Sequence, residues 1–198
     1  MKILYFIAIT ILFSSLAIGQ KKDFYTDQLK AYQKDYVANH EVVPKKDKKN
    51  FYFFPIDKEF NVVSHFEKIT DTVGFTLTTS ANTLKHYYKY GRLDFMIAGK
   101  EYLLFIYQGK DLMETEKYKD YLFVPFADET NGDESYGSGR YLEFVKSDIH
   151  DNQLRLDFNK AYNPYCAYAS GYKCPIPPKE NRLPVAIKAG EKNFGKGH

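Results

Sequence analysis

"GRLDFMIAGKEYLLFIYQG", Gly91 to Gly109, is the stretch that decides the fold. Leu93, Phe95 and Ile97 recur at every second position, a turn follows around Gly99 and Lys100, and an aromatic and β-branched run continues from Tyr102 to Tyr107. Side chains two apart share one face of a strand, so two such runs around a short polar turn predict an antiparallel hairpin.

Outward from this hairpin, shorter strands are expected at Asn61 to Glu67, Gly74 to Thr79, Tyr121 to Phe126, Arg140 to Val145, Gln153 to Asn159 and Pro184 to Lys188. The chain carries 18 tyrosines and 16 phenylalanines, side chains suited to pleated, half-buried surfaces. On the N-terminal side the period changes. In "FYTDQLKAYQKDYVANH", Tyr25, Leu29, Tyr32 and Tyr36 fall at helical spacing, so one amphipathic helix is expected, ending near Asn39. The fold expected is mainly β, an antiparallel β-barrel or sandwich-like domain with an N-terminal amphipathic helix.

The first nineteen residues, MKILYFIAITILFSSLAIG, place Lys2 before an apolar run and small residues before Gln20. That pattern predicts a secretory signal peptide, with an uncleaved anchor as the alternative. No later stretch is apolar for the roughly 20 residues a membrane-spanning helix needs. The chain therefore divides into a signal peptide (1–19), an N-terminal helical segment (20–43), a linker (44–50), a β-rich domain (51–192) and a flexible tail (193–198). A soluble exported protein, periplasmic or extracellular, is expected. Its formal charge is +3, or +2 without Lys2, with cations scattered among carboxylates, so nucleic acid is not expected as a partner. "PKKDKKN", Pro44 to Asn50, reads as a solvated linker rather than a basic patch.

Candidate chemistry sits in three places. "PFADETNGDESYGSGRYLEF", Pro125 to Phe144, is oxygen-rich but lacks the spacing of a calcium loop, and reads as a polar connection with a turn at Asn131-Gly132. Arg140 closes it, one of four arginines among 28 basic residues. Either a structural ion pair, with Asp128 or Asp157, or a planar anion-binding contact accounts for its guanidinium. In "QLRLDFNKAYNP", alternation puts Arg155, Asp157 and Asn159 on a polar face. Third, "AYNPYCAYASGYKCPIPPKEN" holds Cys166 and Cys174, the only cysteines. Eight positions apart in an exported chain, they suit a disulfide; a metal site or a nucleophilic cysteine are the alternatives. The five histidines show no paired spacing, and neither metal nor cofactor is expected.

These stretches carry a resemblance. "YGRLDF", "YLFVPFADETNGDESYGSGRYLEF" and "LDFNKAYNPYCAYASGYKCPIPPKENRLPVAIKAGE", with "FYFFPIDKEFNV" before them, resemble a bacterial family known as domain of unknown function 1684. The resemblance covers nearly the whole mature chain and brings no established reaction. Its motifs coincide here with Asp128, Thr130, Tyr136, Arg140, Tyr141, Asp157, Asn159, Tyr162, Asn163, both cysteines and Asn181, several of them polar residues that packing alone would not dictate. The reading that follows is a binding domain for a small polar or anionic ligand, its site formed by Tyr136, Arg140, Asp157, Asn159, Asn163 and Asn181. The alternatives are a hydrolase using Asp128 or Asp157 as base with Arg140 stabilising negative charge, and a structural envelope protein without a pocket.

Overall fold

A computed structural model describes residues 23–195; the expected signal peptide and the last three residues of the expected tail lie outside them. The chain is mainly antiparallel β. Helix α1 (Phe24–Asn39) precedes strands β1 (Asn61–Lys68), β2 (Phe75–Thr78), β3 (Leu84–Ile97) and β4 (Lys100–Gly109). A short helix α2 (Lys110–Met113) leads to β5 (Tyr121–Phe126), β6 (Arg140–Val145) and β7 (Gln153–Asp157). All seven strands form one curled half-barrel sheet, in the order β6-β5-β4-β3-β1-β7 with β2 on the outer part of β3. No described helix is long and apolar enough to cross a membrane.

The β3–β4 hairpin is the longest pairing, running from Ile97 opposite Lys100 to Tyr87 opposite Gly109. Its loop is two residues, Ala98 and Gly99, with φ of 48° and 76°. Positive φ at both central positions matches the right-handed twist of the flanking strands. A register shift between Lys89 and Gly91 bends β3, so its first half pairs with β2 and its second with β1.

Curling brings apolar side chains from both ends of the sheet to one core. Phe66, Leu93, Phe95, Leu104, Ile106, Leu122, Val124, Leu142, Leu154 and Leu156 meet there, joined by Phe158, Leu183, Ile187 and Ala189 from outside the strands. Alternation also loads the opposite face of β4, β5 and β6, where Tyr107, Phe123 and Tyr141 cluster with Tyr87 and Leu77. This part of the sheet is therefore covered on both sides, and residues 162–182 lie over the second face. Tyr141 donates its hydroxyl to the carbonyl of Pro175, and Tyr141 and Tyr162 bridge through their backbones.

Between β4 and β5 the strands diverge, pairing only at Tyr107 and Phe123. The Asn181 side chain fills the gap as a peptide would. Its carbonyl accepts from Phe105 N–H at 2.8 Å, and its amide donates to the carbonyls of Phe105 and Pro125, each at 2.8 Å.

Several expectations are corrected. Pro184 to Lys188 is not a strand; its backbone groups meet the Asp128 and Arg140 side chains and the Glu129 N–H instead of a neighbouring strand. The expected Gln153 to Asn159 strand ends at Asp157, where its carboxylate caps a short 3-10 turn. The stretch Leu84 to Tyr90, not expected as strand, is the first half of β3. Residues 44–50 carry a 3-10 turn, Lys45–Asn50, and Phe194 packs on Phe51 and Tyr168 at 5.2 and 5.1 Å.

Cys166 and Cys174 are joined in a disulfide. Closing so short a loop is worth about 2–3 kcal/mol in the chain-entropy view. Reduction should therefore lower the melting temperature by roughly 5–10 °C and leave the sheet intact, since a domain of this size loses about 2–4 °C per kcal/mol. Thermal melts followed by far-ultraviolet dichroism, with and without reductant, check this; loss of the β signal at room temperature would show the fold to depend on the bond.

Candidate functional site

The residues singled out from the sequence fall into four separate places. Arg140 is wholly buried and paired with Asp128 at 2.8 Å. Its guanidinium also donates to the carbonyls of Ile187 at 2.8 Å, Ala189 at 2.5 Å and Glu191 at 3.1 Å, between the rings of Phe54 and Phe126. The other Asp128 oxygen accepts from Thr130 N–H at 2.9 Å, Thr130 Oγ1 at 2.6 Å and Ile187 N–H at 3.2 Å. This is a knot tying the C-terminal segment to the root of β6. Gly139 serves it too: with φ of +92°, a Cβ there would meet the Phe126 carbonyl and Pro177 Cγ at 2.6 Å, so the close approach is to the chain itself.

Asp157 and Asn159 hold the start of α1. Asp157 accepts from the Tyr25 hydroxyl at 2.9 Å, and Asn159 clasps the backbone of Asp57 on both sides, at 2.9 and 2.7 Å. Asn181 sits between β4 and β5 as above. Tyr136 belongs with the Arg140 knot: half-buried in the β5–β6 connection, it accepts through its carbonyl from Asn131 Nδ2 at 2.9 Å, and that amide also donates to Ser135 beside Thr130. Asn163 belongs to a fourth group, built on a residue that sequence reasoning missed.

That residue is Glu191, fully buried. Its carboxylate accepts from the Tyr168 hydroxyl at 2.6 and 2.8 Å, from Asn163 N–H at 2.9 Å and from the Tyr36 hydroxyl at 3.3 Å. It thus clasps α1 and the disulfide loop together. Burial raises its pKa to about 7, although the hydrogen bonds it accepts work in the other direction. It is the last residue of the third stretch that carries the family resemblance, but nothing there set it apart.

Outward from this clasp lies a cleft of 640 Å³ between α1, β6 and the disulfide loop. Six tyrosines line it: Tyr32 and Tyr36 from α1, Tyr141 from β6, and Tyr162, Tyr165 and Tyr172 from the loop. Tyr162 stands edge-on to Tyr141 at 5.8 Å and donates its hydroxyl to Glu143; Tyr165 and Tyr172 pack together at 5.1 Å. Burial, then the neighbouring Tyr121 and Glu143, hold the Tyr162 hydroxyl well above its ordinary pKa, so it is a hydrogen-bond donor at neutral pH.

His40 also borders the cleft, 8% exposed and 4.5 Å from the Tyr168 ring. Its Nδ1 accepts from Val43 N–H at 3.2 Å, which leaves the proton on Nε2, and that nitrogen has no hydrogen-bond partner. Burial, then Lys48, push its pKa down, so the ring is neutral. A signal for part of this wall existed in the sequence, since Tyr32 and Tyr36 share the predicted helix face; His40 follows the helix's end.

Beside this cleft a second, of 530 Å³, lies between the two edge strands, bordered by Leu142 to Phe144 of β6 and by Leu154, Arg155 and Asp157 of β7. Asp157 is the one residue of the expected ligand set that borders it. Among the described residues no group of three or more histidines, cysteines or carboxylates is placed to hold a metal ion.

Fold and site together define a β half-barrel domain whose open side is crossed by a helix, with a tyrosine-walled cleft beside it. The chain belongs to the family of proteins of unknown function DUF1684, whose family model matches residues 46–192. It is also similar to the solution NMR structure of an uncharacterised protein from Haloarcula marismortui, with 30% identity over 85% of this chain and 94% of that one and a TM-score of 0.63. No curated protein matches. The family match takes in β6 and the disulfide loop, but α1, which supplies Tyr32 and Tyr36, and His40 just after it both precede the match.

Proposed function

We propose that this is an exported binding domain that takes a small polar ligand in the tyrosine-lined cleft between α1, β6 and the disulfide loop. The observation that carries the reading is the gathering of six tyrosines from three separate chain segments around one concave space. Tyrosine offers an apolar ring face and a hydroxyl edge, the combination a polar ligand with an apolar face requires. The Glu143 carboxylate adds an acceptor beside the rings. The disulfide supports the exported location, because such bonds persist in oxidising compartments.

Binding is favoured over hydrolysis because Asp128 and Arg140 spend their hydrogen bonds on each other and on backbone, out of reach of solvent. The test is a small-molecule thermal-shift and NMR screen of the mature chain against the Tyr165→Ala/Tyr172→Ala variant. Both rings are partly exposed, at 40% and 38%, so the variant should melt within about 2 °C of the parent, as surface changes do. Ligand-induced shifts should be lost from it. Shifts that persist undiminished would place the ligand elsewhere.

A further inference from the structure

The tyrosine cleft does not end at β6. Tyr32, Glu143 and Tyr162 border both it and the cleft between β6 and β7, and Tyr32, Arg155, Asp157 and Lys160 border that second cleft and a third, of 490 Å³, which reaches Tyr25. The three share walls along one flank of α1. Tyr25 and Tyr36 lie about 16 Å apart along the helix axis at 1.5 Å per residue. This is a trough longer than any single small ring.

We infer that the ligand is an extended, hydroxyl-rich chain, an oligosaccharide, lying along this trough with its first ring among the loop tyrosines and later rings toward Lys160 and Arg155. The inference rests on the ligand-binding reading above and adds the ligand's class and length.

Charge selects this class. In the tyrosine cleft Asp35, Glu41 and Glu143 face Lys85 and Lys173, nearly balanced. No arginine borders it, so the planar fork that recognises phosphate or carboxylate is missing there. A cation would need free carboxylates beside the rings. Here Asp35 accepts from Asn39 at 2.7 Å and Glu143 from Tyr162, so of the three only Glu41 is without a hydrogen-bond partner among the described residues. A neutral sugar ring fits: its C–H face lies on tyrosine and its hydroxyl rim meets the polar groups. The same pattern repeats further on, where Lys160 sits over the Tyr32 ring at 5.5 Å and Arg155 lies within 3.5 Å of Asn61 Oδ1. Both cations have donors to spare for sugar oxygens.

Titration of the mature, oxidised chain with chito-, cello- and malto-oligosaccharides, from monosaccharide to pentasaccharide, tests this, with choline and inorganic phosphate alongside. NMR and calorimetry give site and affinity. In at least one series the affinity should rise about tenfold or more from one to three units, and the shifts should spread from Tyr165 to Lys160. The Arg155→Ala/Lys160→Ala variant, changed at exposed positions, should lose the gain with length. Binding at the tyrosines that is flat with length, or choline or phosphate shifting them while no saccharide does, overturns the oligosaccharide and leaves the ligand-binding reading in place. No probe or screened compound moving any trough resonance overturns both.

Discussion

Arg140→Ala should lower the melting temperature by roughly 10–15 °C and leave a fraction of the protein unfolded under physiological conditions. The substitution removes every donor that the Ile187, Ala189 and Glu191 carbonyls share, and strands the Asp128 carboxylate in a place water does not reach. Breaking a buried pair by taking one partner costs about 3–5 kcal/mol, because the remaining charge is uncompensated. At about 2–4 °C per kcal/mol for a domain of this size, the shift follows. Arg140→Lys keeps the charge yet should recover only part of the loss, since an ammonium cannot reach one carboxylate and three carbonyls in the plane that the guanidinium spans. Asp128→Asn/Arg140→Met should melt above Arg140→Ala, because it removes both charges together. Chemical denaturation of the three variants checks the order. A melting temperature within about 3 °C of wild type for Arg140→Ala would show the knot to be expendable.

The second large effect is one of pH. The Glu191 carboxyl binds its proton more tightly in the folded protein, where its pKa is about 7, than in the unfolded chain, where the ordinary value is 4.5. Between these values the folded state holds the extra proton, so stability is greatest below pH 4.5 as far as this group is concerned. It then declines as pH rises, and the cost is fully present above pH 7. At 1.36 kcal/mol per unit, that cost is about 3 kcal/mol. Glu191→Gln keeps an acceptor for Tyr168 and Asn163 while removing the charge. It should therefore be more stable than wild type by about 3 kcal/mol at pH 8 and nearly equal to it at pH 4.5. His40 acts in the opposite direction: its pKa is lowered on folding, so it costs stability as pH falls below 6.5. That contribution is common to both proteins, and the difference between their denaturation midpoints isolates Glu191. Curves that stay parallel from pH 4.5 to 8 would mean that folding leaves the affinity of this carboxyl for its proton unchanged.

Much of the sheet was legible because period-two alternation survives wherever one face packs on the core. The β3–β4 hairpin shows it: Leu93, Phe95 and Ile97 all turn inward, and the turn falls at Ala98-Gly99, within a residue of its expected place. The first half of β3 was not legible, because Leu84 is exposed and Tyr87 packs on the opposite face from Leu93. The bend at Lys89 and Gly91 resets the alternation. Pro184 to Lys188 misled for the converse reason, since Val185 and Ile187 are apolar and half-buried or buried, yet the Ile187 backbone is met by the Asp128 and Arg140 side chains and Val185 by a single loop N–H. For the site, alternation and composition marked Asp157 and Arg140 as polar residues with a purpose. Their purposes depend on partners far along the chain: Tyr25 for Asp157, and Asp128 with the 187–191 carbonyls for Arg140. Glu191 closes a stretch that carries the family resemblance, but nothing local set it apart; its importance comes from three-dimensional neighbours.

The core's dependence on Ile187, Ala189 and the knot around Arg140 bears on the order in which this chain can acquire its structure. A polypeptide leaving the ribosome or a membrane pore N-terminus first presents β1 to β7 well before residues 187–191 appear. Until then the sheet lacks two core side chains, and Asp128 and Arg140 lack the backbone groups that share their charge. Closure of the core around Arg140 thus waits for residues 187–191, which follow every strand of the sheet in the chain.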